Sequence, residues 1–185
     1  MPTLAPPSPP ERLQGERVRL RRSTTHDAPA LFEAAHDPLV MRFMDWPAQV
    51  AQGEAWAFLD ASAKRWDDGS EYHWMIEDLA AHAAVGCIAC RPRGHAVDFG
   101  YFLAARAWGK GYATEAALLL VGWLKTRPEI QRIWATTDAM NPRSAAVLER
   151  AGLRREGLLR MATLRPNIGG APRDTLLYAL CRDDF

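Results

Sequence analysis

Cysteine is scarce in this sequence: Cys87, Cys90 and Cys181 are the only three in 185 residues. So sparse and odd a set excludes a disulfide framework and points to a reducing compartment, so a cytoplasmic location is expected. Long hydrophobic runs are also lacking. The longest, residues 116–124, is closed by Glu115 and Lys125 and falls well short of the ~20 residues that cross a bilayer. Neither sign of charge dominates, since 23 Lys and Arg against 22 Asp and Glu leave a net +1. Nucleic acid or a membrane surface recognised through bulk charge is therefore not expected. The first ten residues lack the basic start and apolar segment of a secretory signal. They hold five of the thirteen prolines instead, and residues 1–14 read as a flexible, proline-rich tail. The histidines show no metal-ligand spacing, and no metal is expected.

What remains is an ordinary globular composition, 48% hydrophobic and 24% charged. A chain of this length buries roughly 70% of its unfolded surface without staples. Residues 15–185 read as one domain. Cys87 and Cys90 have the spacing of a redox or metal pair. They lie in the apolar run 83–90, which reads as a strand, where residues three apart face opposite sides. Two buried strand cysteines are the simpler reading.

The alternation of residues 17–21, Arg-Val-Arg-Leu-Arg, marks a half-buried strand with a solvated arginine face. Thr24 and Asp27 open a first helix, which Asp37-Pro38 breaks. Residues 49–66 read as a second helix ended at Gly69. Strands follow over residues 71–77, 83–91 and 97–103. Residues 112–125 are the clearest helix, with Ala113, Ala116, Ala117, Leu120, Val121 and Leu124 on one stripe. Leu118 and Leu119 lie off that stripe, so cover on more than one side is expected. A strand at 132–137 precedes Asn141-Pro142, a cap followed by proline at the first helical position, and Gly152 stops that helix. Strands around 153–164 and 175–181 flank a hairpin-like loop at 166–170. The order gives one mixed sheet with helices on both faces.

Chemistry concentrates in residues 98–115, Asp-Phe-Gly-Tyr-Phe-Leu-Ala-Ala-Arg-Ala-Trp-Gly-Lys-Gly-Tyr-Ala-Thr-Glu. A strand enters a loop with Gly109 and Gly111, which opens directly onto the best helix. The first N–H groups of a helix have no internal partner and its dipole is positive there, so the segment suits a pyrophosphate. Taken alone, the two glycines are equally read as turn residues. A P-loop fails because Gly111, not Ser or Thr, follows Lys110. A dinucleotide fingerprint fails because Thr114 stands at its third glycine and the loop lies past the middle of the chain.

Arg106-Ala-Trp-Gly109-Lys-Gly111-Tyr-Ala113 resembles the Arg/Gln-x-x-Gly-x-Gly/Ala motif of the GNAT acetyltransferase superfamily. Residues 108–116, 141–153 with Glu156-Gly157, 174–178 and 37–42 resemble, in order, its RimJ/RimL-like, ribosomal-protein N-terminal acetyltransferase branch. The resemblance spans roughly residues 15–185. It implies a single α/β (α+β) GNAT-like domain, with a mixed, mostly antiparallel sheet of about six to seven strands. It also implies acetyl-CoA as cosubstrate. Backbone groups near Phe102 and Leu103 would pair with the pantetheine arm. The loop and helix start, Arg106, Trp108, Gly109, Lys110, Gly111, Tyr112, Ala113 and Thr114, would hold the pyrophosphate. Asn141 and Ser144 would lie near the thioester.

Read from the residues alone, Asn141 is accounted for by capping. Ser144 shares a helical face with Val147, Leu148 and Ala151 and points inward, to bond backbone or ligand. Acyl transfer to an amine needs a neutral nucleophile and a leaving thiolate that is protonated. A thiol of pKa near 8.5 leaves readily, so one donor suffices, and Ser144 is the candidate. The Tyr that many superfamily members place seven residues after the Asn is here Leu148. An α-amine of pKa about 7.7–8.0 needs less help than a lysine at about 10.4. Asp98 is the candidate base, with Glu71 and His73 as alternatives, and each is equally read as a plain strand or turn residue. Trp46, Trp56, Trp66 and Trp74 line an acceptor groove or fill core. No Cys or Ser sits in a nucleophile–His–acid pattern, so direct transfer is expected. The acceptor implied is a peptide or protein N-terminal amine. A small amine or aminoglycoside is the alternative, and a non-catalytic CoA-binding module the rival. A homodimer is compatible with the sequence.

Overall fold

The computed structural model describes residues 9–185. The part of the expected tail in residues 1–8 lies outside the described residues. The elements run β1 (Arg12–Gln14), β2 (Val18–Arg22), α1 (Ala28–His36), α2 (Pro38–Met41), α3 (Gln52–Asp68), β3 (Tyr72–Asp78), β4 (Ala83–Arg93), β5 (Ala96–Leu103), α4 (Tyr112–Lys125), β6 (Arg132–Asp138), α5 (Pro142–Arg150), β7 (Arg154–Thr163) and β8 (Arg173–Cys181). They form one eight-stranded sheet in the order β1-β2-β3-β4-β5-β6-β8-β7, antiparallel throughout except for β5 beside β6.

The eighth strand is β1, which sequence reading places in the tail. It pairs with β2 from Arg12–Arg21 to Gln14–Arg19, and Trp74 Nε1 donates to the Pro10 carbonyl at 3.0 Å. Three residues beside a proline-rich stretch carry too short an alternation to be read. Strand structure thus begins before the expected boundary at residue 15.

Period-2 alternation sends the sheet's side chains into two separate cores. On one face Val18, Leu20, Trp74, Ile88, Phe99 and Leu103 meet Ala116, Leu120 and Leu124 of α4 and Leu148 of α5. On the other, Met75, Cys87 and Phe102 meet Leu31 and Ala35 of α1 and Leu59 of α3. Cys87 and Cys90 fall in different cores, and burial pushes both thiols up. Each fully buried leucine of α4 contributes about 1.5–3 kcal/mol. That helix is covered by the sheet and by α5, and its remaining face is open. Leu118 stays 48% exposed, because only the sheet and α5 reach it, and Leu119 is half-buried.

The one parallel pair opens the sheet. β5 and β6 are paired only over Ala96–Asp98 and Arg132–Trp134. Beyond these, β5 stays with β4 to Leu103, and β6 stays with β8 to Asp138. The two strands splay apart, leaving an opening across which their backbones no longer pair with each other.

Candidate functional site

Which backbone groups face the opening follows from the ladders on either side. Ala104 N–H donates to Val85 O at 2.8 Å, so by alternation Phe99, Tyr101 and Leu103 turn their N–H and C=O toward the opening. Ala139 N–H donates to Asp174 O at 3.0 Å, so Thr136 turns its N–H and C=O to the opening from β6 and Asp138 its N–H, the Asp138 carbonyl accepting from Asn141 N–H at 2.9 Å. An extended polar chain placed here would pair as an added strand does. In the absence of one, the Trp108 indole N–H donates to Leu103 O at 2.9 Å.

The loop from β5 to α4 supplies the second feature. Ala107 and Trp108 N–H groups bond to Ala104 and Ala105 carbonyls, and the first bond of α4 is Glu115 N–H to Gly111 O. Between them, the N–H groups of residues 109–114 find no acceptor among the described residues. Gly109 and Gly111 both hold positive φ, 76° and 78°, which turns this run of donors to one side. Unbonded donors at a helix start form a cradle for an anion.

The back of the loop is braced. Glu115 accepts from the backbone N–H of Arg17 and Val18 and from Arg17 Nε, at 2.8, 3.2 and 2.8 Å, and Arg17 Nη1 donates to Lys110 O at 2.9 Å. A Cβ at Gly111 would sit 2.9 Å from Arg17 Nη1, whereas one at Gly109 would meet nothing within 4 Å. The open side of the loop is therefore at Gly109. Tyr112 donates to Asp78 Oδ2 at 2.8 Å and pins the start of α4 to the end of β3. Lys110 is exposed, Nζ 5.8 Å from the Tyr112 ring, and Ala113 and Thr114 are half-buried, presenting backbone.

Arg106 turns the other way, to Glu33 at 2.7 Å and the Ala84 carbonyl at 3.2 Å, so its side chain ties the loop to α1. Trp108 is 37% exposed and lies under the Arg143 guanidinium of α5, 5.3 Å from its ring centre. Phe102 points to the α1 and α3 face, edge-on to Trp46 with ring centres 5.8 Å apart. Leu103 presents its backbone to the opening and its side chain to the core.

Across the opening, Asn141 Oδ1 accepts from Ser144 N–H at 3.2 Å, the expected cap. Ser144 is half-buried, and its hydroxyl lies 3.0 Å from the Tyr101 hydroxyl, which is also 3.3 Å from Ser144 O. Burial pushes Tyr101 up to about 12, against the lowering by its bond to Ser144, so it stays a neutral phenol near pH 7. Sequence reading missed Tyr101. The signal was present: Tyr101 alternates with Phe99 and Leu103, which places it on the face that Ser144 and Leu148 share. Leu148, where a tyrosine was sought, is buried.

The structure does not bring Asp98 to Ser144. Asp98 lies at the closed end of the opening, on the opposite face of β5 from Tyr101. Its oxygens accept from Arg91 Nε at 2.7 Å and Arg93 Nε at 3.1 Å. Glu71 is held by Arg65 and Arg91. His73 is buried against Phe58, with neither ring nitrogen bonded, and desolvation lowers its pKa to about 4. None of the three candidate bases faces the opening.

On the α1 and α3 face, Trp46 and Phe58 stack with ring centres 6.2 Å apart and, with Pro47, Gln49 and Glu54, line a shallow hollow of about 330 Å³. Gln49 is 6% exposed and its Oε1 has no partner. Trp66 and Trp74 are core, and Trp56 is an exposed residue of α3. No helix among the described residues is long and apolar enough to cross a membrane.

Comparison with known proteins places the fold. Residues 17–154 match the family described as Acetyltransferase (GNAT) domain. The uncharacterised N-acetyltransferase YoaA of Bacillus subtilis (strain 168) is 24% identical over 173 residues, 92% of this chain and 96% of that protein. Among solved structures, Mycobacterium smegmatis RimJ in complex with CoA-disulfide superposes with a TM-score of 0.84 at 25% identity, over 98% of this chain and 92% of its own. RimL, described as ribosomal L7/L12 alpha-N-protein acetyltransferase in complex with coenzyme A, superposes with a TM-score of 0.83 at 20% identity, over 95% of this chain and 100% of its own.

Proposed function

This chain belongs to the GNAT acetyltransferase family and is an N-acetyltransferase that uses acetyl-CoA; from that premise we propose that it acetylates the α-amine of a peptide or protein N-terminus by direct transfer. When bound, acetyl-CoA supplies an activated thioester whose acetyl group passes to the amine. The residues fit such a molecule. The N–H cradle at 109–114 is unbonded and suits its pyrophosphate, and the backbone of Tyr101 and Leu103 suits its amide arm. The Trp108 indole must release Leu103 O for that pairing.

One observation carries the chemistry: a hydroxyl pair, Ser144 and Tyr101, on one side of an opening whose end holds the anion cradle. Ser144 donates a hydrogen bond toward the sulfur as it leaves. Tyr101 holds the Ser144 rotamer and remains protonated at working pH. No carboxylate among the candidate bases faces the opening, which favours an acceptor that is partly neutral near pH 7, as an α-amine is. The similarity to RimL, described as an alpha-N-protein acetyltransferase, supports the same acceptor. The open hollow beside Trp46 and Phe58 supplies room for the residue that follows the amine.

The test is thiol release from acetyl-CoA against pooled peptides, polyamines and aminoglycosides, with steady-state kinetics on the best acceptor. Peptides should lead and the pattern should be that of a ternary complex. Ping-pong kinetics or a trapped acetyl-enzyme would sink direct transfer. Turnover confined to small amines would sink the peptide assignment. CoA binding with no turnover on any amine would leave a binding module.

A further inference from the structure

Arg165 carries a guanidinium whose buried Nε finds no hydrogen-bond partner among the described residues. It lies in the β7–β8 loop, and Asn167 two residues on fixes that loop against residues 41–48. Asn167 Nδ2 donates to Met41 O and Trp46 O at 2.7 and 2.8 Å, and Oδ1 accepts from Ala48 N–H at 2.7 Å. Held there, Arg165 is only 7% exposed, yet its Nε has no partner, and its guanidinium donates no hydrogen bond to any described residue.

The surroundings show why. The nearest carboxylate is Asp138, with Oδ2 3.8 Å from Arg165 Nε. Asp138 is already used: Oδ2 accepts from Arg173 Nε at 2.6 Å, and Oδ1 accepts from Arg173 Nη2 at 3.1 Å and Met140 N–H at 2.8 Å. Asp45, the other carboxylate whose charge Arg165 feels, stands exposed on the facing loop and makes no bond to it. A buried donor left without a hydrogen bond keeps its desolvation cost uncompensated, so an acceptor from outside the protein has something to offset.

The place is as informative as the deficit. Asp138 ends β6 on the splayed side of the opening, four residues past the last pair with β5. By alternation with Ile133 and Ala135, which enter the α4 core, its side chain lies on the α1 and α3 face. Arg165 thus stands where the open end of β6, the β7–β8 loop and the segment carrying Trp46 converge, on the side away from Ser144. An arginine fork matches a carboxylate through two parallel bonds. We propose that Arg165 anchors a carboxylate carried by the acceptor amine, an assignment that rests on the acetyltransferase reading and names the acceptor's chemistry. The carboxylate is that of a free amino acid or of an acidic residue near a peptide's N-terminus.

Two matched comparisons separate these sources. The first sets pooled free amino acids against their primary amides. The second sets peptide amides randomised at residue one, with Asp at residues two and three, against the same peptides with Asn. Each is measured by thiol release with wild type and R165Q. The readout is the ratio of kcat/KM between the carboxylate and neutral member, so differences in amine basicity cancel between the two proteins. For one source the ratio should fall at least tenfold in R165Q, with CoA affinity unchanged within about twofold. A ratio unchanged for both sources overturns the proposal. Should R165Q fail to fold, R165K, which keeps charge but loses the fork, should lower the ratio at least threefold, and an unchanged ratio counts against the proposal. Should no acceptor turn over although CoA binds, the catalytic reading fails separately. Calorimetric binding of the Asp peptides and the amino acids to the CoA-bound protein then decides, with binding that R165Q or R165K abolishes in favour and its absence against.

Discussion

The two sides of the opening between β5 and β6 are built by different means. Toward α4 and α5, the proposed recognition groups come from one continuous stretch, residues 99–114, and the first turn of α5, and most are backbone. Toward α1 and α3, Trp46, Gln49, Phe58 and Arg165 are side chains from separate segments, joined by contacts as distant in sequence as Asn167 and Met41, 126 residues apart. Backbone recognition depends on φ, on glycine and on where a helix starts, so many side chains can change without loss of the cofactor. Side-chain recognition changes with each substitution. A fold divided this way keeps one donor and is free to vary the acceptor.

The hardest strain on that comparison is a side chain placed in the cradle. Gly109→Val and Gly111→Val both impose a β-branched residue at positive φ, at a similar backbone cost of roughly 1–2 kcal/mol. Only Gly109 has open space before its Cβ; Gly111 faces Arg17. Calorimetry should show CoA affinity falling at least about a hundredfold, about 2.7 kcal/mol, in Gly109→Val. Gly111→Val should lose stability through Arg17 and less than about threefold in affinity once folded. Equal losses would mean that loop shape, not the exposed N–H face, binds the cofactor.

The next largest effect concerns the one side chain to which the proposal gives a chemical role on the cofactor side. Ser144→Ala should lower kcat on the order of tenfold and leave CoA affinity within about twofold. The effect falls below the usual general acid range of roughly 10²–10⁴ because a thiolate is already a fair leaving group. Tyr101→Phe should cost less, since the hydroxyl that acts remains. A Ser144→Ala protein with unchanged kcat would return Ser144 to a helix residue bonded to its neighbours.

The same contrast explains what was legible in the sequence. The loop at 109–114 was readable because glycine and a helix start act locally, and the Asn141 cap because its partner Ser144 N–H is three residues away. Tyr101 needed only a count of alternation along β5. Arg165 and Asn167 were not readable, because nothing in the local pattern of residues 164–170 shows that this loop docks on residues 41–48. Asp98 misled for a related reason: its place beside the motif was visible, but the arginines that occupy it reside on β4. The short strand β1 escaped because three residues carry little periodicity.

Asn167 allows the acceptor side to be loosened alone. Asn167→Ala removes three hydrogen bonds between the β7–β8 loop and residues 41–48. The KM of the best acceptor should rise about fivefold, about 1 kcal/mol, with CoA affinity unchanged. A parallel loss of CoA binding would show that the two sides are not separable.

The smallest effect is the most selective, because it needs no change near the opening. His73 lies beneath α3, on the acceptor half, and desolvation holds its pKa at about 4 in the folded protein, against an ordinary imidazole's 6.5. Its folded pKa is depressed, so the folded and unfolded states bind the same number of protons above pH 6.5, where stability is complete. Below that the unfolded chain takes up a proton that the folded protein refuses, and stability is lost progressively toward pH 4. Between pH 7.5 and 6 this one group should remove about 0.8 kcal/mol. Hydrogen exchange at pH 6 should then rise in α3 and β3 before it rises in α4. His73→Phe, which leaves no ring nitrogen unbonded beside Phe58, should abolish this group's pH dependence and cost little at neutral pH, because both orphaned polar atoms go together. If α3 and α4 loosen together as the pH falls, and the substitution changes nothing, the two halves of the sheet open as one cooperative unit and the proposed division between them is confined to the binding surfaces.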